Sequence, residues 1–422
     1  MWWISEVSLV LLLLLLLILY LRGTFHKKVK YRIEDVPSVE EPHFLLAMMG
    51  VSASFITNGY PTGFWFDIDA IYTARLKAIA NAQRTIHFET FYMTPGRRAN
   101  EFAAALTERS QARVEVLLLV DSFGVLSMPK EYWKQLQEAG VNVRFFHSFS
   151  WRNPLNYNIR THRKLMLIDG EIAFVGGMGV SDHWDGMKET GDTAPWLDFE
   201  VRFTGPIVVT LEGIFMQHWL YVGGVTRLHS EIFNPALSGG STTLVTPRNA
   251  PGARSSVYAL LYSSVLAAKQ RIWLASPYFL PDRNTRNALL LAKKNGVDVR
   301  ILTAGPHNDK KLVYYAVRER YPDLLNAGIE IYEYHPSMMH AKVLLIDNTF
   351  VSTGSTNFDP RSFFHNDELH LSLAEPTLAQ FVEHSFLCWF AKSRRIDRVT
   401  WEARPLLQRV LGRLALVIRW QL

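Results

Sequence analysis

From Val51 onward the apolar positions of this chain switch between two periods. Residues 71–83 carry them at helical spacing, and 86–93 is a short apolar run of strand length. A second amphipathic helix over about 100–109 leads into the apolar run 114–121, a third ends at Ala139-Gly140, and 141–146 reads as another strand. Residues 198–203 alternate polar and apolar, as a half-buried strand does. The pattern then repeats. Gln83-Arg84-Thr85-Ile86 is answered by Gln270-Arg271-Ile272, the helix at 100–109 by one at 286–294, residues 114–119 by 297–302, and Ala139-Gly140-Val141 by Ala327-Gly328-Ile329. Alternating helices and strands predict an α/β fold with a mixed sheet flanked by helices. Two copies of about 170 residues each are too long for stacked repeats, so the expectation is two duplicated domains, 51–235 and 236–395, packed about a pseudo-two-fold axis.

Each copy contains the same phrase. Residues 162–169 read His-Arg-Lys-Leu-Met-Leu-Ile-Asp and residues 340–347 read His-Ala-Lys-Val-Leu-Leu-Ile-Asp, both His-x-Lys-x4-Asp. On a strand, residues two apart share a face, so His162 with Lys164, and His340 with Lys342, point into one space. Asp169 and Asp347 fall where each strand should turn into a hairpin. Two imidazoles and two ammoniums converging on one pocket suit a phosphodiester. The lysines would bind the non-bridging oxygens, one His attack phosphorus and the other protonate the leaving alkoxide. One such pair on a strand is an ordinary solvated face; two with matching flanks are not.

The ends differ in character. Residues 7–21 are almost entirely aliphatic, and counting back to Trp2 gives about the twenty residues a membrane-spanning helix needs. Arg22, Lys27, Lys28, Lys30 and Arg32 follow, with no basic residue before them, so 1–22 is expected to be an uncleaved transmembrane anchor that leaves the rest of the chain cytoplasmic. Residues 23–50, with Pro37, Pro42 and four acids, read as a juxtamembrane linker. In the tail, 396–422, Leu406, Leu407, Val410, Leu411, Leu414 and Val417 share a helical face flanked by Arg409, Arg413 and Arg419. That face suits an anionic bilayer surface or packing on the second domain.

Composition narrows the partners. The chain has 422 residues, 48% hydrophobic, with net charge +6, which favours an anionic partner, lipid surface or nucleic acid. A single cysteine, Cys388, excludes an internal disulfide and any thiolate metal cluster.

The doubled His-x-Lys-x4-Asp, followed by Val175-Gly176-Gly177 in one half and Thr353-Gly354-Ser355-Thr356-Asn357 in the other, resembles the phospholipase D superfamily. Residues 158–164, the Trp196-Leu197-Asp198 triplet and Gly205-Pro206 make it most similar to the bacterial cardiolipin synthases, over about residues 50–395. The resemblance implies a phosphatidyl transferase of the bacterial inner membrane that joins two phosphatidylglycerols into cardiolipin plus glycerol through a phosphohistidine, with no metal or cofactor. His162 is the expected nucleophile and His340 the acid and base, although internal symmetry leaves the roles exchangeable. Ser355 and Asn357 match the family's phosphate-contact positions, whereas the first half offers Gly177 and Gly179.

Asp198 to Pro206 and Glu368 to Pro376 both span eight residues, which makes Asp198 and Glu368 counterparts. Both are expected to orient a histidine, Asp198 by accepting from the ring of His162. Tyr157, Tyr278, Phe358 and Arg361 flank the motifs and are candidates for shaping lipid choice, with phosphatidylethanolamine an alternative partner lipid. Hydrolysis of phospholipid, nuclease chemistry and a non-catalytic membrane scaffold are the competing readings. The scaffold predicts a broken motif, and both motifs are intact.

Overall fold

A computed structural model describes residues 2–24, 31–225, 238–250 and 254–422. In the first half the strands are β1 (Phe55–Trp65), β2 (Thr85–Thr90), β3 (Glu115–Asp121), β4 (Asn142–Phe146), β5 (Leu165–Ile168), β6 (Ile172–Gly176) and β7 (Glu200–Thr204). The second half repeats them as β8 (Ser241–Arg248), β9 (Arg271–Ala275), β10 (Asp298–Ala304), β11 (Glu330–Tyr334), β12 (Val343–Ile346), β13 (Phe350–Gly354) and β14 (Glu368–Ala374), with β15 (Ser393–Ile396) added at its edge. All fifteen lie in one sheet, in the order β15-β11-β10-β9-β12-β13-β14-β8-β1-β7-β6-β5-β2-β3-β4. The order reads the same from either side of the antiparallel β1–β8 pair, so the pseudo-two-fold axis passes between those two strands.

Hydrophobic period explains the layering. β3, β5 and β12 are largely apolar on both faces and buried on both, because helices cover the sheet; β2 is buried throughout too, with Thr85, His87 and Glu89 on one of its faces. The helices Arg97–Gln111 and Arg283–Lys294 bury one stripe only, the former through Phe102 and Leu106. β2–β3–β4 and β9–β10–β11 are parallel, while the motif hairpins β5–β6 and β12–β13 run antiparallel beside them. The duplication and the mixed sheet expected from sequence are both present.

The expected transmembrane anchor is overturned. Trp2–Leu21 is helical, yet among the described residues no helix is long and apolar enough to cross a membrane. Reaching twenty residues requires counting Ser5 and the Glu6 carboxylate as part of the span. The run beyond Glu6, 7–21, covers about 22 Å at 1.5 Å per residue, short of the roughly 30 Å of hydrocarbon.

The stretch read as a linker also carries structure. Phe44–Ser52 is a helix whose Phe44 and Met48 are buried, with Phe44 edge-on to Phe350 at 5.1 Å. Residues 25–30 of that stretch lie outside the described residues. In the tail, the helix Leu406–Ala415 packs inward through Gly412 and Ala415, where a Cβ on Gly412 would overlap the carbonyl of Tyr315, and Arg404 pairs with Glu319 at 2.9 Å. Leu406, Leu407, Val410, Leu414 and Val417 of the anticipated apolar face point outward.

Candidate active site

The two motif histidines stand immediately before β5 and β12, on chain segments that cross from one half to the other. Thr161 bridges Asp367, and the His162 N–H donates to the Asp367 carbonyl at 2.8 Å; Leu197 bridges Met339, and the His340 N–H donates to the Leu197 carbonyl at 2.6 Å. These two related links bring the first-half histidine beside the start of β14 and the second-half histidine beside the start of β7.

The carboxylates therefore serve crosswise. His162 Nδ1 lies 3.0 Å from Glu368, and His340 Nδ1 lies 2.8 Å from Asp198. The expected Asp198–His162 pair is not formed. Donation from Nδ1 leaves Nε2 of each ring without a proton, the nitrogen needed for attack or proton transfer. Both histidines are 8% exposed, enough to present an edge. The Phe91 ring lies 5.2 Å from His162, and the Trp184 and Trp196 rings lie 5.5 and 6.1 Å from His340.

Lys164 and Lys342 are buried as well. Lys164 Nζ donates to the His162 carbonyl at 2.8 Å, and Lys342 Nζ lies within 3.2 Å of both ring nitrogens of His340. Burial, followed by the charge of Lys342, pulls Lys164 down to about 7. Burial likewise pulls Lys342 down to about 8 despite Asp198 and Glu368. Burial and then these two lysines hold His162 well below the ordinary imidazole value, and His340 is lowered to about 4. A bound anion would raise all four groups, offsetting the burial that lowers them.

The two halves are unequal. Burial works to raise Asp198, but His340, Lys342 and the Trp184 indole, which donates at 2.9 Å, hold it below the usual carboxylate range. In Glu368 burial wins against Lys164 and Ser355 and raises it to about 7.

Sequence-predicted residues divide into two groups. Ser355 is in the site, where its hydroxyl donates to Glu368 and its N–H to Leu369 at 3.0 Å. Asn357 is 4% exposed, and its side-chain oxygen, an acceptor, has no protein partner. Gly177 N–H donates to the Phe199 carbonyl at 3.2 Å rather than standing free for a phosphate, and a Cβ there would overlap Asp198 Oδ1. Asp169 and Asp347 are not brought to the histidines. Each occupies the hairpin in left-handed backbone, φ 57° and 51°, and accepts from three consecutive N–H groups: Gln83, Arg84 and Thr85 for Asp169, Lys269, Gln270 and Arg271 for Asp347. They fasten the motif hairpins to the starts of β2 and β9.

Other participants were not legible in the sequence. His218, on the helix Ile207–Tyr221, spans the two halves, with Nδ1 2.7 Å from Glu89 and Nε2 3.2 Å from Asp367. Burial and Arg163 oppose its charge, but the two acids prevail and raise it. No local motif marks it; only the fold brings β2, this helix and the residue before Glu368 together. Of the flanking candidates, Arg361 binds the Asn158 carbonyl at 3.2 Å, Tyr157 lies under Arg160 at 4.6 Å, Phe358 packs on Phe363, and Tyr278 reaches Asp309.

Comparison with known proteins agrees with this geometry. The family model described as cardiolipin synthase, PLD-like domain, matches residues 76–185 and 261–389, one stretch around each motif. The chain belongs to the cardiolipin synthase family of phospholipase D-like proteins. Among family members, a cardiolipin synthase of Geobacillus sp. (strain WCH70) is 32% identical over 92% of this chain and 78% of its own length. Cardiolipin synthase A of Pseudomonas fluorescens (strain SBW25) is 33% identical over 83% of this chain and 72% of its own length. The fold is shared with the phosphatidylserine synthase of Haemophilus influenzae Rd KW20, at TM-score 0.70 and 14% identity over 90% of this chain and 99% of that one.

Proposed function

We propose that this protein is a phosphatidyl transferase that makes cardiolipin from two molecules of phosphatidylglycerol and releases glycerol. The crosswise His162–Glu368 and His340–Asp198 pairs, set against two buried lysines, carry the reading. In the first step, with His340 an imidazolium once the phosphodiester anion has bound beside it, His162 Nε2 forms a bond to phosphorus, the bond to the headgroup oxygen breaks, and His340 gives its Nε2 proton to the departing glycerol alkoxide. In the second, the headgroup hydroxyl of another phosphatidylglycerol gives its proton to His340 and its oxygen attacks phosphorus, releasing His162. Lys164, Lys342 and the Asn357 amide hold the non-bridging oxygens. The inequality of the carboxylates supports these roles. Asp198, held ionised, stabilises the imidazolium that His340 must become, whereas Glu368, near neutral, leaves His162 an uncharged nucleophile.

Lipid would be met at a surface. The outward Leu406, Leu407, Val410, Leu414 and Val417, beside Arg409 and Arg413, form an apolar face with basic flanks suited to an anionic bilayer.

The test is a product analysis in mixed micelles containing phosphatidylglycerol. Cardiolipin and free glycerol from the wild type, and neither from His162→Ala or His340→Ala, is the expected result. Phosphatidic acid alone would replace the transferase with a hydrolase, and degradation of DNA without lipid turnover would make the protein a nuclease.

A further inference from the structure

The loops that follow the equivalent strands β3 and β10 have opposite chemistry. Glu115 opposes Thr85 across β2–β3, and Asp298 opposes Arg271 across β9–β10, with Thr85 and Arg271 each the last residue held by a motif aspartate. Eleven residues further on stand Leu126 in one half and Asp309 in the other. The first-half loop presents Phe123 and Leu126 to solvent, 51% and 67% exposed, beside exposed Phe149 and Trp151. The second-half loop presents Asp309 and Lys310. The two symmetry-related loops therefore present apolar side chains in one half and charged ones in the other.

Asp309 faces the side of the site that contains His340. Its carboxylate accepts from the buried Tyr278 hydroxyl at 2.7 Å, and its charge also acts on Tyr92, His183 and Lys342. Tyr92, which occupies in the first half the place of Tyr278, reaches His183 at 3.2 Å, next to the Trp184 that lies against His340. The loop is pinned there: His307 Nδ1 lies 2.9 Å from the Thr190 carbonyl and 3.3 Å from Asp192, which itself accepts from the Trp196 indole. Lys310 Nζ sits 4.8 Å over the Tyr278 ring, so the positive charge beside Asp309 is already supplied by the protein.

Building on the transferase reading, we infer that Asp309 recognises the polyhydroxy headgroup of the leaving and incoming alcohol. Its free lone pairs accept hydrogen bonds from the hydroxyls that do not react, which places the remaining primary hydroxyl at His340. A cationic headgroup would meet Lys310 and Lys342, so the ligand is a neutral polyol.

The experiment is an acceptor competition in phosphatidylglycerol micelles, with deuterated glycerol, 1-propanol and ethanolamine present together and the phosphatidyl products counted by mass. In Asp309→Ala the ratio of glycerol product to propanol product should fall about tenfold or more, the discrimination expected from lost hydrogen bonds to a charged acceptor. Asp309→Asn, which keeps an acceptor oxygen, should retain part of that ratio. An unchanged ratio in Asp309→Ala, with all products falling together, would reduce Asp309 to a support for Tyr278. Selective loss of the ethanolamine product would make it an ammonium site and overturn the inference. A wild type that transfers to no alcohol would remove the transferase reading itself, and this inference with it.

Discussion

His162 is held by Glu368, a residue of the other half of the chain, at 3.0 Å, and His340 is held by Asp198 at 2.8 Å. Each half supplies one reacting group and the orienting group of its counterpart. The relation makes separable predictions for the two carboxylates.

With a phosphatidyl donor labelled at phosphorus whose leaving group needs no acid, such as the p-nitrophenyl ester, His340→Ala should accumulate label on His162, because the first step then proceeds without His340 and the second lacks its base. Adding Glu368→Ala, which removes the acceptor at His162 Nδ1, should abolish that label, and adding Asp198→Asn should leave it, since Asp198 serves only the absent imidazole. Label lost with Asp198→Asn and kept with Glu368→Ala would return the pairing to within one half.

The lysines set the pH response. Lys164 and Lys342 are lowered to about 7 and about 8, and each assists only while protonated, so kcat/KM should fall as pH rises through 7–8. A bound phosphodiester raises both values, so the falling limb of kcat should lie at higher pH than that of kcat/KM. Initial rates from pH 6 to 9.5 would show it; coincident limbs would mean that the lysines do not face the phosphate.

Gly177 has a use that its backbone N–H does not reveal. Because a Cβ there would overlap Asp198 Oδ1, Gly177→Ala should displace the carboxylate from His340 and lower kcat by about 10²-fold, the scale of a displacement near 1 Å. Thermal melting should move little. Normal turnover in the variant would show that Asp198 tolerates the shift.

Asp169 and Asp347 should behave as fastenings. Asp347→Asn puts an amide against three N–H donors and should cost about 1–3 kcal/mol of stability, seen as a lower Tm, with kcat of the folded protein within about tenfold. An unchanged Tm with a thousandfold lower kcat would place Asp347 in the chemistry.

Much of this was legible before any coordinates. The repeated motif, the strands that carry it and the equal eight-residue spacing from Asp198 and Glu368 to their prolines all follow from local pattern, which registers what recurs along a chain. The crossing of the pairs does not, because equal spacing makes the two acids counterparts without saying which imidazole each faces. That choice is made by the bridges Thr161–Asp367 and Leu197–Met339, contacts between distant segments. The same limit hid His218 and Asp309, whose neighbours are assembled by the fold. Periodicity identified an apolar face on 406–417 but not that the small residues Gly412 and Ala415 turn inward and the leucines outward. At the amino terminus, hydrophobic count outweighed the single carboxylate of Glu6.

The β1–β8 pair joins the halves as two identical subunits would join across a dimer axis. In a homodimer of two identical halves the histidines would be equivalent, and any substitution would appear on both sides of the site at once. Two halves within one chain are free of that constraint. Gly177 opposite Ser355, Asp198 opposite Glu368 and Leu126 opposite Asp309 are differences that only a single chain can keep on one side, and they give direction to a site that symmetry alone would leave reversible.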